Sequence, residues 1–317
     1  MTKTIAILGA GGRVANEVGQ AFLDAGYRVR AVTRNGRPVL PGATNVAADA
    51  MSEAQLATAV DGADFVFNGL NPLYTEWPEK VMPMARNVIG ALRGKGIRHL
   101  FIGNVYAFGS PMPPVLREDT PMRPSTVKGR IRMEMKALFR AEAEAHGTQT
   151  IILRAGDFFG SGTGSWFDQA LVSKLDKGVF TAPGPMDLPH AWAYLPDLAQ
   201  AFVAAANAAD RLPVFEALHF PGHTATLADM KAAIERATGR ELKTSFMPWW
   251  AIRLIGPFNP MLREFSIMNY LWREPHKLAS DRIEALLGPL PRTPLDEAVA
   301  QALADLSRQR AAEKTAA

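Results

Sequence analysis

The first half of the chain alternates short apolar runs with longer amphipathic segments. This alternation predicts strands that are separated by helices. The predicted strands are residues 4–8, 27–33, 44–47, 65–68, 99–102 and 150–153. The predicted helices are residues 15–25, 52–60, 78–95 and 126–145. Such repeats build a parallel sheet with helices on both faces.

The pattern changes after the sixth predicted strand. A glycine-rich loop at 156–164 leads to an alanine-rich helix at 197–209 and a short strand at 218–220. From His223 onward regular strand alternation is missing; helices are predicted at 229–238 and 281–287, and the polar residues 308–317 are expected to be frayed. We therefore predict an α/β fold, a doubly wound parallel sheet of the Rossmann type, with a smaller, mostly helical C-terminal cap.

A glycine-rich turn follows the first predicted strand. Gly9 allows a tight turn, Gly12 lets the backbone approach a pyrophosphate, and the small Ala15 lets the next helix pack closely. The start of that helix presents N–H groups and the positive end of its dipole to an anion. The pattern therefore predicts a dinucleotide site. Its predicted contacts are Gly9, Gly11, Gly12, Arg13 and Val14.

The dinucleotide motif and the change of pattern together predict the domain organisation. Residues 1–160 are expected to form an NAD(P)-binding domain, to which residues 190–222 return. Residues 161–189 and 223–317 are expected to form the substrate and cap region. We detect no internal repeat in the chain.

The composition narrows the class of protein. With 317 residues, 48% of them hydrophobic, the chain is long enough for a large α/β domain with an appendage. It has no cysteine, and its 6 histidines lack metal-ligand spacing, so no metal site is predicted. The net charge of +4 is dispersed, so no nucleic-acid partner is expected. Without a signal peptide or an apolar stretch of roughly 20 residues, we expect a cytoplasmic protein with no membrane partner.

The end of the second predicted strand bears on the choice of coenzyme. An acidic residue there holds the ribose of NAD, whereas an arginine accommodates the additional phosphate of NADP. The strand ends at Arg34 without an acid, and Arg13 is expected to approach the same phosphate. NADP is therefore predicted over NAD, the alternative for Arg34 being a solvated turn. Asp49 is expected to bind the adenine amino group or to cap the next helix.

These segments together resemble the extended and atypical short-chain dehydrogenases/reductases, also called the NAD-dependent epimerase/dehydratase group. The resemblance rests on the glycine loop and on residues 48–49, 101–109, 153–160, 194–197 and 292–298. It implies a catalytic serine or threonine after the fifth strand and a Tyr-x-x-x-Lys pair in the next helix. Asn104, Lys128 and Arg132 occupy those three positions here.

The three replacements change the chemistry expected of the site. Arginine does not release its proton in a protein, so Arg132 is expected to orient groups and stabilise charge. A lysine partly desolvated beside another cation exchanges its proton more readily, so Lys128 is predicted as the acid–base group and as a coenzyme contact. Residues 128–135 also partly match a lysine motif of the isoflavone-reductase and NmrA-like branch. That branch includes reductases and dinucleotide sensors, and both outcomes stay open.

Further candidates follow the fourth and fifth predicted strands. Asn104 is expected to donate to a substrate oxyanion. Tyr106 lies two residues further on and is predicted to replace the missing phenol, the alternative being a packed aromatic. Asn71 is expected to line the coenzyme channel, and Tyr74 and Trp77 are either pocket walls or core residues.

The second half contributes weaker candidates. His190 is either a general acid or a hydrogen-bonded structural residue. Asp157 is expected to border the substrate, and Asp197 to cap a helix. The aromatic residues of 246–250, with Phe258, Phe265, Tyr270 and Trp272, either form an apolar lid or belong to the core.

The predicted function is NADPH-dependent reduction of a carbonyl or a conjugated double bond in a hydrophobic small molecule. Lys128 would handle the proton, aided by Tyr106 or Asn104. One alternative is a nucleotide-sugar epimerase or dehydratase, against which the missing tyrosine counts because transient sugar oxidation needs a base. The other is a catalytically inactive NADP(H)-sensing regulator. In related folds the helices after strands four and five pair across a two-fold axis, so a homodimer is an alternative to a monomer.

Overall fold

Seven parallel strands form the main sheet, with the first strand near its centre. The computed structural model describes residues 2–316 and the side chains of residues 2–311. Across the sheet, the strands are Phe215–His219 (β11), Thr150–Arg154 (β7), Arg98–Gly103 (β5), Phe65–Asn68 (β4), Thr4–Leu8 (β1), Arg28–Thr33 (β2) and Thr44–Ala47 (β3). The strand order reverses beside β1, which is where an open α/β sheet binds its ligand. The predicted doubly wound fold is confirmed.

Helices cover both faces of this sheet. They are Arg13–Asp24 (α1), Glu53–Ala59 (α2), Trp77–Leu92 (α3), Val127–His146 (α4), Leu195–Ala208 (α5), Leu227–Thr238 (α6), Trp249–Ile255 (α7), Pro260–Met268 (α8), Ile283–Leu287 (α9) and Leu295–Ala316 (α10). Alternate residues of β1 face opposite sides: Ile5 and Ile7 pack with α1 and α5, whereas Ala6 and Leu8 pack with α2 and α3. A strand buried on both faces explains the continuous apolar run in the sequence.

Three small sheets connect the cap to the main domain. They contain Val115–Leu116 (β6), Asp157–Phe159 (β8), Val179–Ala182 (β9), His190–Tyr194 (β10), His223–Ala225 (β12), Lys243–Phe246 (β13) and Lys277–Leu278 (β14). The prediction of a glycine-rich loop at 156–164 is therefore wrong at β8. The region from His223 onward, for which no regular strand alternation was predicted, contains three short strands among the described residues, β12, β13 and β14. These strands are too short for a clear alternating pattern, and each pairs with a distant segment.

Several predicted ends also differ from the structure. The polar segment expected to be frayed continues α10 as far as Ala316, while Ala317 lies outside the described residues. Asp197 lies in the first turn of α5, but its carboxylate accepts hydrogen bonds from the backbone and hydroxyl of Thr293, both at 2.8 Å. Its role is to anchor that distant segment. Among the described residues, no helix combines the length and apolarity needed to span a bilayer.

Candidate functional site

A cleft of about 770 Å³ lies at the carboxyl end of β1. It unites segments that are separate in the sequence. The predicted coenzyme contacts that line it are Gly9, Gly11, Gly12, Arg13, Val14, Arg34, Asp49 and Asn71. Of the predicted coenzyme contacts, Lys128 alone is not among its lining residues.

The glycine turn leaves the floor of this cleft free of side chains. Gly9 has a φ of 72°, and a Cβ there would lie 3.1 Å from the carbonyl oxygen of Gly69. Gly12 precedes α1 and provides no side-chain cap for its N-terminus. The first N–H groups of α1 and its dipole therefore face the cleft, which is the arrangement that binds a diphosphate. These residues fit the phosphates of a dinucleotide.

Two exposed arginines border the cleft beyond β2. Arg34 lies at the end of the strand, and Arg37, which the sequence analysis did not single out, lies three residues further on. Gly36, with a φ of 68°, allows the turn that returns the chain towards the glycine loop. A Cβ at Gly11 would lie 3.6 Å from Nη2 of Arg37. The Thr-Arg-Asn-Gly-Arg turn was the local pattern that could have identified Arg37.

Arg13 contacts the segment that follows β8. Its Nη1 donates to the carbonyl oxygen of Gly162 at 3.3 Å and lies 3.8 Å from the carboxylate of Asp168. This geometry differs from the expectation that Arg13 joins Arg34 at one phosphate. Asp168 is distant in sequence, so the motif around Arg13 did not reveal it.

Asp49 lines the cleft and organises the turn before α2. Its carboxylate accepts a hydrogen bond from the backbone N–H of Met51 at 3.0 Å. Ser52, not Asp49, caps α2 by accepting from the backbone N–H of Gln55. The capping alternative for Asp49 is therefore wrong, and adenine contact stays a prediction.

A second cavity of about 760 Å³ continues from the cleft. The two share Val14 and Asn71 among their lining residues. The walls of the second cavity are mainly aromatic and aliphatic, and Tyr74 and Trp77 belong to them. Its polar groups include those of Asn104, Tyr106, Arg132 and Asp157.

Two phenols meet in this second cavity. The hydroxyl oxygens of Tyr74 and Tyr106 are 2.7 Å apart. Burial is the main cause that raises the pKa of both phenols, so both stay protonated at neutral pH. Gly129 allows α4 to approach this site, because a Cβ there would lie 2.5 Å from the carbonyl oxygen of Tyr106. Asn104 Oδ1 accepts from the backbone N–H of Tyr106 at 3.2 Å.

Arg132 brings a cation to the same cavity. Its guanidinium lies over the rings of Trp77 and Phe101, at 4.8 and 5.3 Å from their centroids. Burial lowers its pKa to about 10, so it remains charged at neutral pH. Among the described groups no hydrogen-bond partner reaches its Nε, and its Nη1 lies 3.8 Å from the sulfur of Met135. A buried guanidinium whose Nε lacks a hydrogen-bond partner in the protein favours the binding of a ligand that supplies one.

Lys128 lies behind the cavity wall. Its side chain is 4% exposed and forms an ion pair with Glu264 of α8. Its ammonium also lies 4.8 Å from the ring centroid of Tyr74. Lys128 is absent from the residues that line either cavity, because α8 packs over it.

The remaining candidates divide between the cavity and the core. His190 Nε2 is 2.8 Å from Asp157 Oδ2, and its ring stacks on Trp272 with a centroid distance of 4.4 Å. Asp157 lines the cavity, whereas His190 is buried behind it. Of the aromatic residues in the cap, Phe265 lines the cavity and Trp272 belongs to the core. Three others are exposed: Phe246, Trp250 and Phe258.

The fold and the position of the cleft define an atypical short-chain dehydrogenase/reductase type of protein. The model of the NmrA-like family matches residues 1–311, and the chain belongs to this family. The search of curated proteins found no match.

Solved structures with similar folds include nucleotide-sugar epimerases. UDP-glucose 4-epimerase is 13% identical, with 97% of this chain and 98% of that chain covered and a TM-score of 0.79. The Brucella ovis enzyme of that name, in complex with NAD, is 16% identical, with 95% and 97% covered and a TM-score of 0.76. UDP-glucuronic acid 4-epimerase from Bacillus cereus, in complex with NAD, is 14% identical, with 96% and 99% covered and a TM-score of 0.76. At such identities the likeness concerns the fold.

Proposed function

We propose that the protein is an NADPH-dependent oxidoreductase that reduces a carbonyl or a conjugated carbon–carbon double bond in a hydrophobic small molecule. The observation that carries this proposal is the pair of protonated phenols beside Arg132, in an apolar cavity continuous with the glycine-loop cleft. The NAD complexes of structurally similar epimerases support a nicotinamide dinucleotide in the cleft. When bound, the reduced coenzyme supplies a hydride.

Different groups of the chain bind different parts of the coenzyme. The first N–H groups of α1 hold the diphosphate. Arg34 and Arg37 hold the additional phosphate that distinguishes NADPH from NADH, because guanidinium groups bind phosphate with charge-assisted hydrogen bonds. Both arginines are exposed at the cleft, where a phosphate would replace water around them, although Arg34 also acts electrostatically on Glu76 of the same cleft.

Tyr106 donates the proton in the proposed reaction. Burial raises its pKa, so Tyr106 is present as the protonated phenol, which is the form that can donate a proton to a substrate. Tyr74 is hydrogen-bonded to Tyr106 and is the next proton source in this relay of two phenols. Arg132 stabilises the negative charge that develops on the substrate oxygen.

Lys128 takes a positioning role in this proposal. Its ion pair with Glu264 fastens α8 over the cavity, and its contact with the Tyr74 ring orients the phenol pair. We therefore assign proton donation to Tyr106 and not to Lys128, which the sequence analysis predicted as the acid–base group.

The two alternatives predict different chemistry. A nucleotide-sugar epimerase is supported by the similar folds, but it needs a base for a sugar hydroxyl, and protonated Tyr106 is poorly suited to that task. A regulator that only senses NADP(H) is supported by the missing Tyr-x-x-x-Lys pair. Its cavity would have no need of the phenol pair.

The test is a turnover assay with purified protein. NADPH consumption is followed with aromatic ketones, cyclic enones and UDP-sugars, and products are identified by mass spectrometry. We expect oxidation of NADPH with at least one ketone or enone and a product heavier by two hydrogens. Tight NADPH binding without any turnover would favour the regulator. Interconversion of UDP-sugars without net coenzyme consumption would favour the epimerase.

A further inference from the structure

Exposed apolar side chains are concentrated on one helical hairpin of the cap. The hairpin consists of α7 and α8, and five large apolar residues on it are exposed. Phe258 is 89% exposed, Trp250 73% and Leu254 69%. We call these three residues, together with Ile255 and Ile267, the outer hairpin face. Soluble monomers rarely leave such clusters uncovered, and the clusters that occur mark interaction sites.

The opposite side of the same hairpin is already in use. Ile252 of α7 and Met261, Leu262 and Phe265 of α8 line the substrate-side cavity. The hairpin is therefore apolar on both sides, although only the inner side contributes to the cavity. Packing among the described residues of this chain does not explain why the outer side is apolar.

Charge on the hairpin is positive. Residues 249–268 contain Arg253 and Arg263, both exposed, and a single acid, Glu264. The carboxylate of Glu264 is engaged by Lys128 and lies 3.8 Å from Arg263. Of the two acids that flank the hairpin, Glu274 accepts hydrogen bonds from Ser110 and Met112, whereas Glu241 is exposed. The hairpin itself therefore presents a net positive charge to a partner.

We propose that the outer hairpin face docks on the surface of an anionic phospholipid membrane. Trp250 and Phe258 would enter the interface between headgroups and acyl chains, and Arg253 would lie among the lipid phosphates. A second copy of this chain fits less well, because a two-fold contact would bring the same cations together without acids to pair with them.

Docking on a membrane surface would be a property additional to the proposed function and independent of it. Adsorption to a surface needs no membrane-spanning segment, whereas the expectation of no membrane partner rested on the lack of such a segment. Docking in this way would bring the apolar cavity close to the bilayer, because the two sides of one hairpin form both surfaces.

The experiment is flotation of the full chain with vesicles of phosphatidylcholine alone or mixed equally with phosphatidylglycerol, at low and high salt. We expect the wild type to float with the anionic vesicles at low salt and to bind neutral vesicles at least tenfold more weakly. High salt should release most of the protein. The joint substitution Trp250→Ser and Phe258→Ser should lower the partition coefficient at least tenfold, and Arg253→Glu about fivefold.

Matched variants elsewhere on the surface serve as controls. Met51 and Val214 are 45% and 46% exposed and line neither cavity, so M51S/V214S should float like the wild type. Exposed Arg211 is the control for charge, as R211E. Circular dichroism confirms that each variant is folded. Equal binding to both vesicle types, or full binding by folded W250S/F258S, would overturn the proposal. A lipid-free dimer that W250S/F258S abolishes would also overturn it, in favour of a second copy.

Discussion

The cleft and the second cavity are of nearly equal size but are built in different ways. Most of the cleft comes from the first 50 residues, where each strand leads directly into a short turn. Apart from Val14, the second cavity is assembled from five or more segments between residues 69 and 265. A site built from consecutive elements is readable as a local motif, whereas a site built from distant segments depends on how the cap packs.

Electrostatics also separates the two regions. The cleft carries two exposed arginines, Arg34 and Arg37, on the solvent side. The second cavity holds Arg132 against aromatic rings, where burial lowers its pKa and raises the pKa of Tyr106. We therefore expect substitutions in the cleft to change coenzyme affinity and selectivity, and substitutions in the cavity to change turnover.

The largest expected effect is that of Tyr106→Phe on turnover. Loss of the proton donor should lower kcat by about 10² to 10⁴, while the dissociation constant of NADPH stays within about twofold. Steady-state kinetics and coenzyme titration measure the two quantities. Tyr270→Phe is the matched control, because its hydroxyl is 3.5 Å from the carbonyl oxygen of Tyr106 and does not line the cavity. Unchanged kcat in Y106F would remove Tyr106 from the reaction.

Lys128→Met should chiefly affect stability. The substitution leaves Glu264 without its main counter-ion, and we expect the free energy of unfolding to fall by about 3 kcal/mol. Adding Glu264→Gln should recover most of this loss, because no uncompensated carboxylate remains. Denaturant unfolding measures the effect. If K128M/E264Q is stable but has no turnover, while Y106F keeps its turnover, Lys128 and not Tyr106 is the proton donor.

Arg34→Glu should change coenzyme selectivity. Loss of one charge-assisted contact and addition of a negative charge should weaken NADPH binding by about 10- to 100-fold, with NADH within about threefold. Fluorescence titration with both coenzymes measures the difference. Arg28→Glu, at the amino end of the same strand, is the control. Equal losses for both coenzymes would show that Arg34 does not hold the additional phosphate.

The smallest effect concerns a histidine behind the second cavity. His99 is fully buried in β5, its ring 4.8 Å from that of Phe139, and burial lowers its pKa to about 3. Because the unfolded chain takes up this proton near pH 6.5, stability is complete above that pH and falls as the pH drops towards 3. At pH 5 the loss from His99 is about 2 kcal/mol relative to pH 7.

His99→Leu should therefore reduce the difference in unfolding free energy between pH 7 and pH 5 by about 2 kcal/mol. Exposed His146, at the end of α4, provides the control His146→Gln. Chemical denaturation at both pH values measures the change. An identical difference in wild type and H99L would show that His99 has the same pKa in the native and the unfolded protein.

The same contrast explains what could be predicted from the sequence. Six of the seven strands of the main sheet, β1 to β5 and β7, and the turn at Gly9 and Gly12 follow from local patterns. The direction of Arg13 and the burial of Lys128 do not, because Asp168 and Glu264 reach them from more than 130 residues away. The meeting of Tyr74 with Tyr106 depends likewise on packing between strands β4 and β5.

Calorimetric titration of the folded wild type with NADPH and with NADH tests the central claim most directly. We predict one NADPH bound per chain, at least tenfold more tightly than NADH. The absence of binding heat for either coenzyme, confirmed by fluorescence, would contradict the proposal that the cleft at β1 holds a nicotinamide dinucleotide.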